Sequence, residues 1–147
     1  MKKLFVVMIP LLMALSSCAQ DINQSLVPSV VVNAFQQKFP KASDVEWEKK
    51  GELYEVEFDL GLKDHKALID ATGKIVKHKE EISTVELPAA VKETLQKGFP
   101  QHKIDDAKRI ESEGVVIYKV EVENAAEERK IYLDANGKIV EPKVSYE

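Results

Sequence analysis

Two rhythms of apolar and polar residues run along this chain, and each occurs twice. Val27, Val31 and Phe35 recur every four residues with Ala34 beside them, and Leu87, Val91 and Leu95 do the same later. That spacing places them on one stripe of a helix and predicts two helices facing a core. Pro28 and Pro88 suit the first helical position, where the missing N–H has no partner to lose. Pro40 and Pro100 predict where the helices stop, because the residue before proline is driven out of helical geometry. Gly98 is expected to take the left-handed C-terminal cap.

A period of two follows each helix. Tyr54, Val56, Phe58 and Leu60 alternate with Glu55, Glu57 and Asp59; Val116, Tyr118, Val120 and Val122 alternate with Ile117, Lys119, Glu121 and Glu123. One apolar and one polar side marks a half-buried antiparallel strand. Val45 and Trp47, between Asp44, Glu46 and Glu48, predict a shorter strand before it. Lys66 to Asp70 and Lys74 to Lys79 predict a hairpin. Asp70-Ala71-Thr72-Gly73 and Asp134-Ala135-Asn136-Gly137 are turn sequences, with Asp favoured at the first position and Gly free to take positive φ.

The two halves are copies. Val27-Pro28 matches Leu87-Pro88, and Phe39-Pro40 matches Phe99-Pro100, at an offset of 60. Lys41-Ala42-Ser43-Asp44 resembles Lys103-Ile104-Asp105-Asp106 at 62. Tyr54 to Phe58 aligns with Tyr118 to Val122, and Asp70 to Val76 with Asp134 to Val140, at 64. An offset that grows in two small steps is what short loop insertions produce. Each copy reads as one helix plus about four strands, with the helix covering the apolar side of the sheet. The expected fold class is α+β: a tandem repeat of helix plus four-stranded antiparallel meander, in two layers. Residues 27–85 form the first repeat, 86–147 the second, and 18–26 a linker.

The start of the chain differs in kind. Lys2 and Lys3 precede an almost wholly apolar run from Leu4 to Leu15. That run is short for a membrane span but suits an export signal over residues 1–17. The sole cysteine, Cys18, ends Leu15-Ser16-Ser17-Cys18, which resembles the lipobox of bacterial lipoproteins and makes Cys18 the expected lipidation site. Ser17 and Ala19 also fit ordinary cleavage after Ala19. Several acyl chains would anchor the mature protein stably, and none would leave it free. The expected location is therefore outside the cytoplasm, as a periplasmic or outer-membrane lipoprotein.

Charge and composition narrow the partners. The 147 residues carry 21 basic and 25 acidic side chains; loss of residues 1–17 leaves 19 against 25, a net charge of −6. An acidic chain without a basic block is a poor nucleic-acid binder. Without cysteine after Cys18 there is no internal disulfide, thiol nucleophile or thiolate metal site.

Phe-Pro, then Val-x-Trp, a Gly, Tyr-x-Val-x-Phe and Asp-x-x-Gly-Lys, in that order and duplicated, resemble the β-lactamase-inhibitor-like, PepSY-like proteins exported by Bacteroidetes. The resemblance covers about residues 27–147, and departs where Arg109 replaces the equivalent of Trp47. It implies a fold like that of β-lactamase inhibitor protein, with helices on one face of an antiparallel sheet. It implies an envelope role and brings no catalytic residues. Inhibition of a β-lactamase itself is not expected. The outward side of the clearest strand (Leu53, Glu55, Glu57, Asp59) has no aromatic anchor of the kind that dominates protein interfaces.

Candidate chemistry is sparse. No Gly-x-Ser-x-Gly elbow, serine with a recognisable histidine partner or Gly-rich phosphate loop occurs. His65, His78 and His102 read as surface histidines. If Asp70 pairs with Lys74, then His65 falls opposite Lys79 and His78 opposite Lys66, on opposite sides of the sheet, which disfavours a shared metal. Asp134 to Gly137 fits a hairpin turn far better than a calcium loop. Glu55, Glu57 and Asp59 read as a solvated acidic row; with Lys119, Glu121 and Glu123 they form a possible docking face, the acids suiting a cationic peptide or loop. The leading expectation is a non-enzymatic binding or inhibitory module of the cell envelope, without cofactor or metal. Its partner would be an envelope protein or peptide. The alternatives are a periplasmic sensor or carrier of a small ligand or cation and, third, an uncharacterised hydrolase.

Overall fold

The computed structural model describes residues 20–143. Eight antiparallel strands form one sheet in chain order: β1 (Gln20–Ile22), β2 (Ser43–Lys50), β3 (Leu53–Leu60), β4 (Lys63–Ile69), β5 (Ile75–Glu81), β6 (Lys103–Ser112), β7 (Val115–Glu123) and β8 (Glu128–Asp134). Helix α1 (Ser29–Lys38) precedes β2, and α2 (Ala89–Gly98) precedes β6. Register places both helices on the same side. Ala67, in the core beneath α1, lies opposite His78, which lies opposite Glu111; Glu111 shares its side of β6 with Ala107, in the core beneath α2. The α+β repeat expected from the sequence is present, and no helix of the described residues covers its second side.

The helical stripes do what their spacing predicts. Val27, Val31 and Phe35 are buried in the first unit, and Leu87, Val91 and Leu95 in the second. Both prolines stand one place earlier than expected, as extended N-caps with ψ near 140° (138° and 145°). Gly98 is not a left-handed cap. It is the last residue of α2, and the chain leaves through Phe99 at φ −134°, as it leaves α1 through Phe39 at φ −126°. An extended exit turns each ring back toward its core, and Phe39 is buried.

Two strand assignments also differ. Of the expected linker, the described part is folded. Gln20–Ile22 pairs with β2, and Gln24–Leu26 forms a 3-10 turn whose Asn23 side chain accepts from the Ser25 N–H. Ile22 packs against the first core, which a polar-looking segment conceals. The second unit has three strands among the described residues. Its fourth is reduced to a bridge between Leu133 and Ile139 and a bond from the Val140 N–H to the Tyr132 carbonyl. Cys18 and the signal segment lie outside the described residues.

The Asp-x-x-Gly turns form as predicted and also dock on the helices. The carboxylates of Asp70 and Asp134 each accept from the N–H groups two and four residues on. Gly73 (φ 87°) sits against Val30 and Ala34 of α1; Gly137 (φ 79°) sits against Ala90 of α2, where Thr94 Oγ1 donates to the Gly137 carbonyl at 2.7 Å. A turn from the end of each unit is thereby pinned to its opening helix.

Two separate cores result. The first gathers Phe35, Phe39, Trp47 and Phe58, with Phe35 edge-on to Trp47 at 5.4 Å. The second is aliphatic, built on Leu87, Val91, Leu95, Val120 and Leu133. Tyr54 is buried in the first, and Tyr118 is half-buried against the second. Where Trp47 fills space in unit one, Arg109 pairs with Glu80 and Glu111. A cleft of about 960 Å³ opens there, lined by Phe39, His78, Arg109 and Glu111.

Candidate functional site

The uncovered side of the sheet holds the polar half of the β3 alternation and the charged residues of β7. The six docking residues named from the sequence all lie on it, Glu55, Glu57 and Asp59 from β3 and Lys119, Glu121 and Glu123 from β7. They form two groups. Three strands separate β3 from β7, a gap of roughly 19 Å at the usual strand spacing.

The acidic row is not simply solvated. Glu55 is 6% exposed. Lys50 Nζ donates to its Oε1 at 2.6 Å and Lys66 approaches to 3.2 Å. Burial pushes the Glu55 carboxyl up, but the hydrogen bonds and charges of these two lysines outweigh it and hold it below its ordinary value. Glu57 pairs with Lys66, Glu121 lies 3.8 Å from Lys130 and 3.9 Å from Lys119, and Glu123 pairs with Lys103 at 2.8 Å. Lys119 is buried beside the Tyr132 ring. The alternation was read correctly. What it conceals is that lysines on β2, β4, β6 and β8 share the face, so Glu55, Glu57, Glu121 and Glu123, which look free along one strand, are paired across strands, while Asp59 lies opposite Asp64.

Sequence reasoning missed an apolar island on this face. Ile110, Ile117 and Tyr132 are buried there, with Val140 packed against them. Tyr132 is therefore an aromatic on the open side, where β3 alone shows none. The signal lay in Ile110 and Ile117, two isoleucines on the polar phase of their strands.

The histidines overturn two expectations. Leu68 pairs with Lys77 but Ile69 pairs with Ile75, so β5 carries a bulge that shifts register by one residue. His65 then lies opposite Glu80 and His78 opposite Ala67, and both imidazoles face the helix side. His65 Nδ1 and His78 Nε2 are 3.0 Å apart, with Phe58 stacked on His65 and Phe39 against His78. Burial lowers both pKa values, and for His78 the neighbouring His65 adds to it. His65 is buried rather than superficial. His102 is half-buried, its Nε2 between the Asn124 amide and the Glu127 carboxylate. Among the described residues no three His, Cys, Asp or Glu converge as a metal site.

A family described as "Putative beta-lactamase-inhibitor-like, PepSY-like" matches residues 13–77 and again 69–141. The chain belongs to this family. Its PepSY-like model thus recurs along the chain, as the helix-and-sheet unit does. A BLIP-like protein from Bacteroides fragilis has a similar structure, with 21% identity, a TM-score of 0.68, and coverage of 79% of this chain and 84% of that one. A protein from Bacteroides eggerthii described as a putative periplasmic protein is 18% identical with a TM-score of 0.71, covering 78% and 86%. At these identities the likeness is one of fold. No curated protein matches the chain.

Proposed function

We propose that this PepSY-like protein is a non-enzymatic binding or inhibitory module of the bacterial cell envelope that docks a protein or peptide on its open sheet face. The observation that carries this reading is the state of that face. No helix of the described residues covers it, yet Glu55, Ile110, Ile117, Lys119 and Tyr132 on it are each held at less than a tenth exposed by their neighbours. Side chains already fixed before binding lose little freedom on association. The BLIP-like description of the fragilis structure supports the same use of the fold. Export rests on Lys2, Lys3 and the apolar run to Leu15, and lipid anchoring on Cys18; the description of the eggerthii structure supports an envelope location.

A photo-crosslinking residue placed at Leu68 or Ser112 on the open face, or at Gln37 on α1, tests the reading in native cells. A discrete adduct from the open-face positions alone is the expected result. Adducts from Gln37 alone would move function to the cleft beside Arg109 and favour the second reading, a small-ligand or cation carrier, which that cleft's volume supports. Turnover of an envelope substrate by the purified protein would end the non-enzymatic reading. Cys18→Ser should release the mature protein from the membrane fraction, and retention there with unchanged mass would refute lipidation.

A further inference from the structure

At several places on the open face like charges meet across strands. Towards β2, acids oppose acids across strands, at Glu46 and Glu57, Glu48 and Glu55, and Asp59 and Asp64. At the centre, lysines oppose lysines, Lys66 with Lys79 and Lys108 with Lys119. Like charges placed directly opposite each other destabilise an antiparallel pair. Lys66 and Lys108 are balanced from their other flanks, where Glu57 lies opposite Lys66 and Glu81 opposite Lys108.

Most of these lysines have an acid beside them: Glu55 and Glu57 for Lys66, Asp106 for Lys108, Glu121 for Lys119. Lys79 makes no ion pair or hydrogen bond among the described residues. Its cross-strand neighbours are Lys66 and Ile110, and Lys77 and Glu81 flank it along β5. Burial and the nearby lysines, Lys77 first, push its pKa down to about 8. It lines a small depression of about 260 Å³ with Glu57, Asp64, His65, Lys66, Glu81 and Lys108. The apolar island begins next to it at Ile110.

We propose that the centre of the open face receives a carboxylate from an acidic loop of a partner protein, with Lys79 as its principal contact and Lys66 and Lys108 beside it. The site fits that chemistry on three counts. It supplies an amine with no ion pair of its own, two further lysines in the same depression set against Glu57, Asp64 and Glu81, and apolar surface alongside for the rest of a loop. The acids towards β2 then orient the partner by repelling its negative side, which sharpens docking more than it tightens it. This inference rests on the docking-face reading. It reverses the expected partner charge, because the acids of β3 and β7 are largely matched from within.

The test uses the full chain and a fluorescein-labelled hexaglutamate peptide, followed by anisotropy at low ionic strength. Saturable binding is expected, about tenfold weaker in Lys79→Gln and nearly unchanged in Lys41→Gln, which removes the same charge from an exposed loop. The Lys79 pKa, read by NMR of its Cε–H signals, should rise when the peptide saturates. Lys79→Gln should melt no lower than wild type, which separates binding from folding. No saturable binding, or equal losses in the two variants, would overturn the inference. If open-face crosslinks form in cells while hexaglutamate stays silent, the acidic-loop inference fails and the docking face stands. Crosslinks from α1 alone would remove the docking face itself.

Discussion

Gly137→Ala should be among the most damaging single-methyl changes in this protein, and its cost can be built from two parts. At φ 79° an L side chain meets left-handed strain of about 1–2 kcal/mol. A Cβ there would also lie 2.7 Å from the Ala90 carbonyl carbon, 2.8 Å from Thr94 Oγ1, and closer still to the Ala90 carbonyl oxygen. Two of those atoms are helix backbone and cannot swing aside, so overpacking adds about 1–3 kcal/mol. The sum is about 2–5 kcal/mol. Gly61→Ala isolates the first part, since at φ 69° its Cβ would meet nothing within 4 Å; about 1–2 kcal/mol is expected. Gly73→Ala falls between, with its nearest neighbours at 3.1–3.3 Å. Urea titrations of the three variants give the order directly, and hydrogen exchange in Gly137→Ala should loosen α2 before α1. A Gly137→Ala variant no less stable than Gly61→Ala would refute the pinned-turn account.

Glu55 is held ionised below its ordinary pKa of 4.5, so its contribution is complete above that pH and disappears as pH falls through the depressed value. Stability measured from pH 6 to pH 2 should show this acid loss shrink in Glu55→Gln, and an unchanged profile would contradict the lysine cage. His65 and His78 titrate below their ordinary 6.5, so the folded state favours neutral imidazoles. Stability should fall as pH drops below 6.5 towards the folded values, and the His65→Gln, His78→Gln double variant should flatten that part of the curve. Tyr54→Ala should cost about 3–5 kcal/mol and the half-buried Tyr118→Ala about 1–3 kcal/mol by chemical denaturation; equal costs would mean the two units bury them alike.

What the sequence discloses here is local and periodic. Val27, Val31 and Phe35 announce a helix face by spacing alone, and Asp70 to Gly73 announce a turn by residue type. The duplication makes each reading count twice. What stays hidden depends on the partner across the sheet. Nothing near Val76 signals the bulge that brings His65 and His78 to one side. The two lysines that cage Glu55 arrive from β2 and β4, so β3 read alone makes Glu55 look exposed. Ile22 gives too short a pattern to declare β1. The site is legible as a face and illegible as an electrostatic arrangement, because pairing across strands decides which charge remains unmatched.

The ladder between β5 and β6, from Lys77 opposite Ser112 to Glu81 opposite Lys108, joins the last strand of one unit to the first strand of the next. Nothing in that joint is specific to two units. A third copy fused at the end could add its strands by the same edge, and the sheet would widen without limit. Among the described residues the two outer edges are short of full strands: β1 is three residues long, and beside β8 the chain bridges at Ile139 and Val140. Lengthening β1 with unbroken alternating residues should give the sheet a longer open edge and promote strand-by-strand association.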